Sequence, residues 1–177
     1  GILNIRNATA LGTTAAGTSV STGAALQIEN GITVGAEALT LNGTGVAADG
    51  ALRSINGTNV WQGTVTLGSA TRINSDAGTL TFNTAANSIT GTQNLTIGGA
   101  GDASINGTIT TGTGTVTKDG VGVLTLSGAN TFSGGTTLTS GTLNINNSSA
   151  LGNVAGTFTI NGGTIDNTTG GTITTLN

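Results

Sequence analysis

The chain has 177 residues and a formal net charge of −3, and Gly (32), Thr (38) and Asn (19) together make up about half of it. It contains no Cys, no His and only 4 Lys and Arg residues. Without Cys and His, the chain lacks the usual ligands of structural zinc, haem and iron–sulfur clusters, and thiol or Ser-His-Asp catalysis is excluded. With so few basic residues, a basic surface for nucleic acid is also excluded. Its apolar runs are short, so we expect no membrane insertion by this segment.

Short runs that alternate apolar and small polar residues recur along the chain and predict β-strands. Each run places two apolar side chains on one face, and turn-forming Gly, Asn, Ser or Asp bounds nearly every run. Thr, Asn and Gly are mediocre or poor helix formers, so helices are not expected. In chain order the runs are 3–5, 26–28, 39–41, 65–67, 80–82, 95–97, 124–126, 143–145 and 158–160, with a weaker one at 52–55.

The spacing of these runs favours a β-solenoid. Runs begin at 26, 39, 65, 80 and 95, with the weaker run between, so neighbouring starts differ by 13 to 15 in residue number. A sandwich or barrel can show a similar rhythm. However, the inward residues are nearly all Val, Ile and Leu, and large aromatics are almost absent. In addition, Gly-Thr recurs before strands, with Thr at 64, 79, 108, 115, 142, 157 and 172. One corner chemistry used repeatedly is typical of stacked small units.

A longer repeat lies on top of this rhythm. Residues 1–12 (GILNIRNATALG) and 141–152 (GTLNINNSSALG) are identical at eight of twelve positions, at an offset of 140, and the similarity continues with one gap at 16–23 and 155–162. We therefore expect residues 1–177 to be a single continuous solenoid segment. It would hold about one repeat (1–140) and the start of the next (141–177), as part of a longer array.

Residues 118–152 resemble the autotransporter-associated β-strand repeat, also called the passenger-associated transport repeat. The motifs are a Lys and Gly-rich lead, a Leu-Thr-Leu strand, Ser-Gly-x-Asn-Thr-aromatic, Gly-Gly-Thr, and a closing Gly-x-Leu-x-Ile with Ala-Leu-Gly. In this chain they are Lys118, Gly120, Gly122, 124–126, 127–128, 130–132, 134–136, 141–145 and 150–152. The resemblance implies a right-handed parallel β-helix displayed outside a bacterial cell, and it implies no enzymatic activity.

The acidic residues are the first candidates for a catalytic site, because polysaccharide lyases and hydrolases on β-helices use clustered carboxylates. The seven acids are Glu29, Glu37, Asp49, Asp76, Asp102, Asp119 and Asp166, and no two are adjacent. We expect solvated turn carboxylates and no catalytic residues, and thus not an enzyme.

Two other motifs carry weak functional signals. The segment 98–102 is similar to the calcium nonapeptide Gly-Gly-x-Gly-x-Asp, but Asp102 comes one residue early and the motif is not repeated in tandem. We expect a glycine-rich turn there and no metal site. Asn-x-Ser/Thr sequons begin at eight Asn residues, which composition nearly explains: Asn7, Asn42, Asn56, Asn94, Asn106, Asn146, Asn147 and Asn167.

Thr-x-Thr motifs are a third candidate, because a flat threonine ladder on a solenoid can bind ice. They occur at 64–66, 79–81, 108–110, 115–117, 137–139, 157–159 and 172–174, and their intervals are irregular, whereas ice binding needs a regular lattice.

The basic residues and the single Trp complete the candidates. Arg6, Arg53, Arg72 and Lys118 are isolated in the sequence, although Arg72 and Asp76 could pair across a corner. Trp61 is expected to cover the core rather than to contact a glycan. No cofactor site is expected.

The sequence therefore predicts a structural module of a bacterial extracellular or surface β-solenoid, acting as a stalk, sheath or filament. Its partners would be copies of itself or neighbouring repeats, stacked end to end, because neither end of the sequence resembles a cap and exposed strand edges pair readily. The alternative is an adhesin or an ice- or glycan-binding module that uses Thr- and Asn-rich coil faces, with a cell-surface glycan as its partner.

Overall fold

The computed structural model describes residues 1–84 and 86–175. In these residues the chain is all-β, with parallel strands stacked as a β-solenoid of about 7 turns. Helical structure in this part of the chain amounts to a short 3-10 turn at Val46–Ala48. The predicted all-β class and parallel solenoid architecture are confirmed.

Connections between the strands range from short turns to the loops 6–17 and 146–157, and most strands are short, although β8 has 11 residues. They are β1 (Ile2–Ile5), β2 (Thr18–Val20), β3 (Ala25–Ile28), β4 (Thr33–Val34), β5 (Leu39–Gly43), β6 (Leu52–Ser54), β7 (Thr58–Trp61), β8 (Val65–Ser75), β9 (Thr79–Phe82), β10 (Asn87–Gly91), β11 (Leu95–Gly98), β12 (Asp102–Ile105), β13 (Thr108–Thr110), β14 (Val116–Lys118), β15 (Val123–Leu126), β16 (Thr136–Leu138), β17 (Thr142–Ile145), β18 (Phe158–Ile160) and β19 (Thr164–Asp166). All nine predicted runs lie within strands, as does most of the weaker run at 52–55.

The strands form three parallel ladders, one for each side of the coil. Ladder one contains β1, β3, β6, the second half of β8, β11, β14, β16 and β18. Ladder two contains β4, β7, β9, β12, β15, β17 and β19. Ladder three contains β2, β5, the first half of β8, β10 and β13. From β3 to β15 the chain visits ladders one, two and three in turn, whereas from β14 to β19 its strands alternate between ladders one and two.

The coils differ in length, although their strands pair in register except for shifts between Leu41 and Gly43 and between Asn87 and Ile89. Paired residues are 19 apart in sequence at Val123 and Thr142, and 27 apart at Thr33 and Val60. The shorter predicted steps between runs therefore connect strands on different ladders and are not the coil period. Loops absorb the difference in length, and pairing between coils sets the register.

Inward side chains stack into columns that run through the coils. One column on ladder one consists of Leu3, Leu26, Leu52, Ile73, Ile97, Lys118, Leu138 and Ile160. On ladder two, another column runs from Trp61 through Phe82 and Ile105 to Leu126. Trp61 is fully buried, as predicted, and its Nε1 donates to the Glu37 carbonyl oxygen at 3.1 Å. The core is therefore a stack of matched aliphatic and aromatic side chains.

A column of glycines forms the corner that precedes every strand of ladder two. Their φ angles lie between 69° and 112°, in the region that favours glycine. The glycines are Gly31, Gly57, Gly78, Gly99, Gly120, Gly141 and Gly163. A Cβ on Gly78 would also meet the carbonyl oxygen of Gly57 in the coil below. This corner thus needs glycine for both its conformation and its close stacking.

The expectation of one Gly-Thr corner chemistry is wrong. Gly63, Gly107 and Gly114 also precede Thr, but they have no positive φ and lie at other corners. A Cβ on Gly63 would meet the backbone of Glu37, and one on Gly114 would meet the Gln93 carbonyl. Glycine is required at these positions because neighbouring coils approach closely.

We expect Gly78→Ala to lower the free energy of unfolding by about 3 kcal/mol or more, because it combines an unfavourable φ with a backbone clash. Gly23→Ala is the matched control, since Gly23 has φ 77° and nothing within 4 Å of a built Cβ. Strain alone should cost the control about 1 kcal/mol. Urea unfolding measures both, and equal losses would contradict the stacked-corner explanation.

Candidate functional site

Each of the three Arg side chains pairs with a carboxylate of another coil. Arg53 Nε donates to Asp76 Oδ2 at 2.6 Å, and its Nη1 lies 3.4 Å from Asp49 Oδ2. Arg6 Nε donates to Glu29 Oε1. Basic residues that are isolated in the sequence thus find partners about one coil away, because the coils bring these residues together in space.

The pair between Arg72 and Asp76 that the sequence allows is not formed. Arg72 instead makes a two-pronged contact with Asp119, with Nη1 to Oδ2 at 2.7 Å and Nη2 to Oδ1 at 2.9 Å. These residues are 47 apart in sequence, and β11 lies between their strands. Gly98 makes this contact possible, because a Cβ at that position would overlap both the carboxylate and the guanidinium.

Asn74 connects these contacts into one network. Its Nδ2 donates to Asp76 Oδ1 at 2.7 Å, and its Oδ1 accepts from Arg72 Nη2 at 3.1 Å. The carboxylates of Asp76 and Asp119 are thus each engaged by a basic side chain, and the network ties consecutive coils of ladder one together.

The glycine-rich segment 98–102 has a structural role in this arrangement. Asp102 Oδ1 accepts a hydrogen bond from the Val123 backbone N–H in the next coil at 2.9 Å. Across residues 1–84 and 86–175, no group of three or more acidic side chains comes together in a geometry that could hold a metal ion. The Asp102 side chain therefore holds a strand end in place.

Glu29 and Glu37 are buried, which the expectation of solvated turn carboxylates missed. Glu29 Oε2 accepts from Asn56 Nδ2 at 3.1 Å, in addition to its contact with Arg6. Glu37 is 3 % exposed, and its Oε1 accepts from Thr18 Oγ1 at 2.7 Å. Each carboxylate joins residues of neighbouring coils.

Lys118 is buried inside the solenoid, in a position that its neighbours in the column fill with Ile97 and Leu138. It is 2 % exposed. Its Nζ donates to the carbonyl oxygens of Asp119 at 2.7 Å, Gly120 at 2.8 Å and Ser140 at 3.2 Å. The ammonium group therefore satisfies carbonyls at the glycine corner of two coils. Burial lowers the pKa of Lys118 below its ordinary value of 10.5, and the charge of Asp119 partly opposes this shift.

Asn130 holds ladder three where it lacks a strand. Its Oδ1 accepts from the Ile109 backbone N–H at 2.8 Å, and its Nδ2 donates to the Ala150 carbonyl at 2.6 Å. It is 3 % exposed, and the nearby Phe132 is fully buried. One side chain thus connects three coils. The sequence singled out Asn130 only through the family resemblance, and Lys118 through that resemblance and as an isolated basic residue. The one residue-level signal was the placement of Lys118 two positions after Val116, on the inward face of a strand.

Outward Ser and Thr residues align into columns despite the irregular spacing of the Thr-x-Thr motifs. On ladder three the column is Ser19, Thr40, Thr66, Thr90 and Thr110. On ladder one it is Thr96, Thr117, Thr137 and Thr159. The motifs within strands are shared among the three ladders, so they do not build one threonine face. The motif at 172–174 lies outside the strands.

Several sequon asparagines use their side chains to connect coils. Asn42 Nδ2 donates to the Val20 carbonyl at 3.0 Å, and Asn106 Nδ2 donates to Asn83 Oδ1 at 3.2 Å. Asn94 Oδ1 accepts from the Thr115 N–H at 3.0 Å. The abundance of Asn thus has a structural explanation.

The described residues contain no helix long and apolar enough to cross a membrane.

We expect the stability of the wild-type chain to rise with pH relative to Lys118→Met. The folded pKa of Lys118 is lowered, so between that value and 10.5 the unfolded state binds more protons and the free energy of unfolding increases with pH. The chain has no Tyr, Cys or His, so few other groups titrate in this range. Urea unfolding from about pH 8 to about pH 11 measures the slope. Parallel curves for the two proteins would contradict the assignment.

We expect Asn130→Ala to lower the free energy of unfolding by about 2 to 3 kcal/mol, because it leaves a buried N–H and a buried carbonyl without partners. Asn106→Ala is the matched control, since its amide contact is exposed, and it should change stability by no more than about 0.5 kcal/mol. Denaturant unfolding distinguishes them. Similar losses would show that Asn130 is not a special connection between coils.

Comparison with known proteins gives one family match. The family model of the passenger-associated transport repeat matches residues 116–145. No curated protein and no solved structure matches the chain. The matched residues contain Lys118, Asn130 and Phe132, whose contacts join the coils described above. This repeat family implies a secreted or surface location. The chain therefore carries a passenger-associated transport repeat, built into a parallel β-solenoid.

Proposed function

We propose that this chain is a rigid structural module of a bacterial surface or secreted protein, in which it acts as a stalk, sheath or filament segment. The matched repeat and the solenoid fold suggest an autotransporter passenger-type surface module. The role is mechanical rather than catalytic. Its partners are neighbouring solenoid coils that stack on it along the axis.

The observation that carries this proposal is continuous parallel pairing along the axis. Ladder one is paired from β1 to β18, and ladder two from β4 to β19. Backbone hydrogen bonds of this kind resist extension because many of them act together. Inter-coil side chains such as Asn130 and Arg72 add connections where the strands end.

The outward surface agrees with a spacer more than with an ice-binding surface. An ice-binding surface needs one flat array, whereas the threonine motifs of this chain lie on three ladders. A glycan-binding role is the second function that the sequence raised, and no convergent set of side chains in the described residues favours it. The stalk, sheath or filament role is therefore the proposed function.

The proposal predicts that chains with added copies of residues 1–140 lengthen in proportion to copy number. Each copy should add roughly 30 Å, the height of about six coils at ~4.8 Å each. Small-angle X-ray scattering of chains with one, two and three copies ahead of residues 141–177 measures the maximum dimension. A matched chain with Ile97→Asp in one copy should bend or collapse there. Lengths that grow only as the square root of copy number would contradict a rigid module.

A further inference from the structure

Two segments of the chain share both sequence and fold. Residues 1–12 and 141–152 are identical at eight of twelve positions. The first is followed by β2 and β3, and the second by β18 and β19. In each case the first and third strands pair in parallel, β1 with β3 and β17 with β19. β2 begins at Thr18 and β18 at Phe158, which is within one residue of the equivalence between segments 16–23 and 155–162.

The turns that follow β1 and β17 have the same hydrogen bonds. Asn7 Oδ1 accepts from the Thr9 N–H at 2.9 Å, and Asn147 Oδ1 accepts from the Ser149 N–H at 2.9 Å. The Gly12 N–H donates to the Thr9 carbonyl, and the Gly152 N–H to the Ser149 carbonyl, each at 3.0 Å. The first turn is therefore already in the conformation that the second has when a coil covers it.

The two copies differ in what covers them. Leu143 is fully buried, whereas its equivalent Leu3 is 53 % exposed, and Ile2 beside it is 55 % exposed. A Cβ on Gly152 would touch the Phe132 ring, whereas one on Gly12 would have nothing within 4 Å. The first copy leaves an apolar groove of about 330 Å³ between β1, β2 and β3.

The coil that covers the second copy is formed by β15, the Asn130 loop and β16. Leu124 lies opposite Leu143 and Leu126 opposite Ile145. Asn130 Nδ2 donates to the Ala150 carbonyl at 2.6 Å, and Thr136 Oγ1 donates to the Leu151 carbonyl at 3.1 Å. The residues that receive these contacts, Ala150 and Leu151, recur as Ala10 and Leu11 in the first copy.

The two copies also lie on different sides of the solenoid. β1 belongs to ladder one and β17 to ladder two. Six more strands of ladder one (β3, β6, β8, β11, β14 and β16) lie between them. The offset between the two copies is therefore six full coils plus one side, and not a whole number of coils.

We propose that the groove of the first coil binds a coil with the sequence of residues 116–140, in which a strand equivalent to β15 pairs with β1. As a consequence, each repeat is rotated by one side of the solenoid relative to the repeat before it. The occupant is the corresponding segment of another copy of the repeat. A given loop then lies on a different side of the solenoid in each of three successive repeats, and in the fourth repeat it lies on the same side as in the first. This inference rests on the proposed stacking role and specifies its partner and register.

A fused chain tests the docking directly. A second copy of residues 116–140 is placed immediately before Gly1, which reproduces the Ser140–Gly141 junction of the natural sequence. We expect its melting temperature to exceed that of the 177-residue chain by about 5 °C or more. Because the chain has no Cys, Thr125→Cys in the added coil and Asn4→Cys should form a disulfide, as the natural Thr125–Asn144 pairing predicts.

Two matched fusions provide the controls. One carries a scrambled order of residues 116–140, and the other carries Asn130→Ala together with Leu124→Asp in the added coil only. Both should lose the gain in melting temperature and the disulfide, while the original 177 residues still unfold as before. If the correct fusion gains no more than these controls, or forms no disulfide, the docking is overturned.

The turn between repeats is tested in a longer chain. Three copies of residues 1–140 followed by 1–177 are labelled with gold at Thr9→Cys in every copy and viewed by electron microscopy. We expect labels of successive copies on different sides and the fourth on the side of the first. Labels in one straight line would overturn the rotation. If the labels lie in one line but the chain is still a straight rod whose length grows in proportion to copy number, the proposed register between repeats is rejected and the structural role is not.

Discussion

Parallel pairing between successive coils is the constraint on which the rest of this structure depends. Every strand finds its hydrogen-bond partners about one coil away in sequence, so the coils must stay in register at ~4.8 Å. They do so although the sequence separation of residues paired between strands varies from 19 to 28. The register brings like residues together, as the stack from Leu26 through Leu52 to Ile73 illustrates. Loops vary in length because they lie outside this requirement, whereas the glycine corner precedes every strand of ladder two.

Buried polar side chains occur where this pairing is incomplete or where a corner exposes carbonyls to the interior. Asn59 occupies an inward position that Leu80 fills in the next coil, and its Oδ1 accepts from the Ile32 N–H at 2.9 Å. Lys118 and Asn130 act in the same way at other corners. A buried backbone group without a partner is costly, so one well-placed amide or ammonium can stabilise a coil that lacks strand pairing. The passenger-associated transport repeat contains two of these three residues.

The strand pattern was readable from the sequence, whereas the contacts between coils were not. Runs such as 80–82 and 124–126 carry two inward aliphatic or aromatic residues, so alternation alone identified them as strands. Thr136–Leu138 and Thr33–Val34 were missed because their short length and single aliphatic residue give no period. The Arg72–Asp119 contact depends on two coil lengths and on the space left at Gly98, neither of which can be deduced from local spacing. The burial of Glu37 also depends on the neighbouring coil, so it cannot be deduced from local spacing either.

The unusual composition is itself a consequence of stacking. In a solenoid each outward side chain has neighbours above and below at about 4.8 Å, and like charges at that distance destabilise a sheet. A charge is tolerated where an opposite charge can reach it, as Arg53 reaches Asp76 and Arg72 reaches Asp119. Thr and Asn need no such matching, because each can donate and accept, and so they can stack on copies of themselves; the 3.3 Å contact between the Thr66 and Thr90 hydroxyls is one example. A chain whose coils stack on one another is therefore driven towards Thr, Asn and Gly and away from charge.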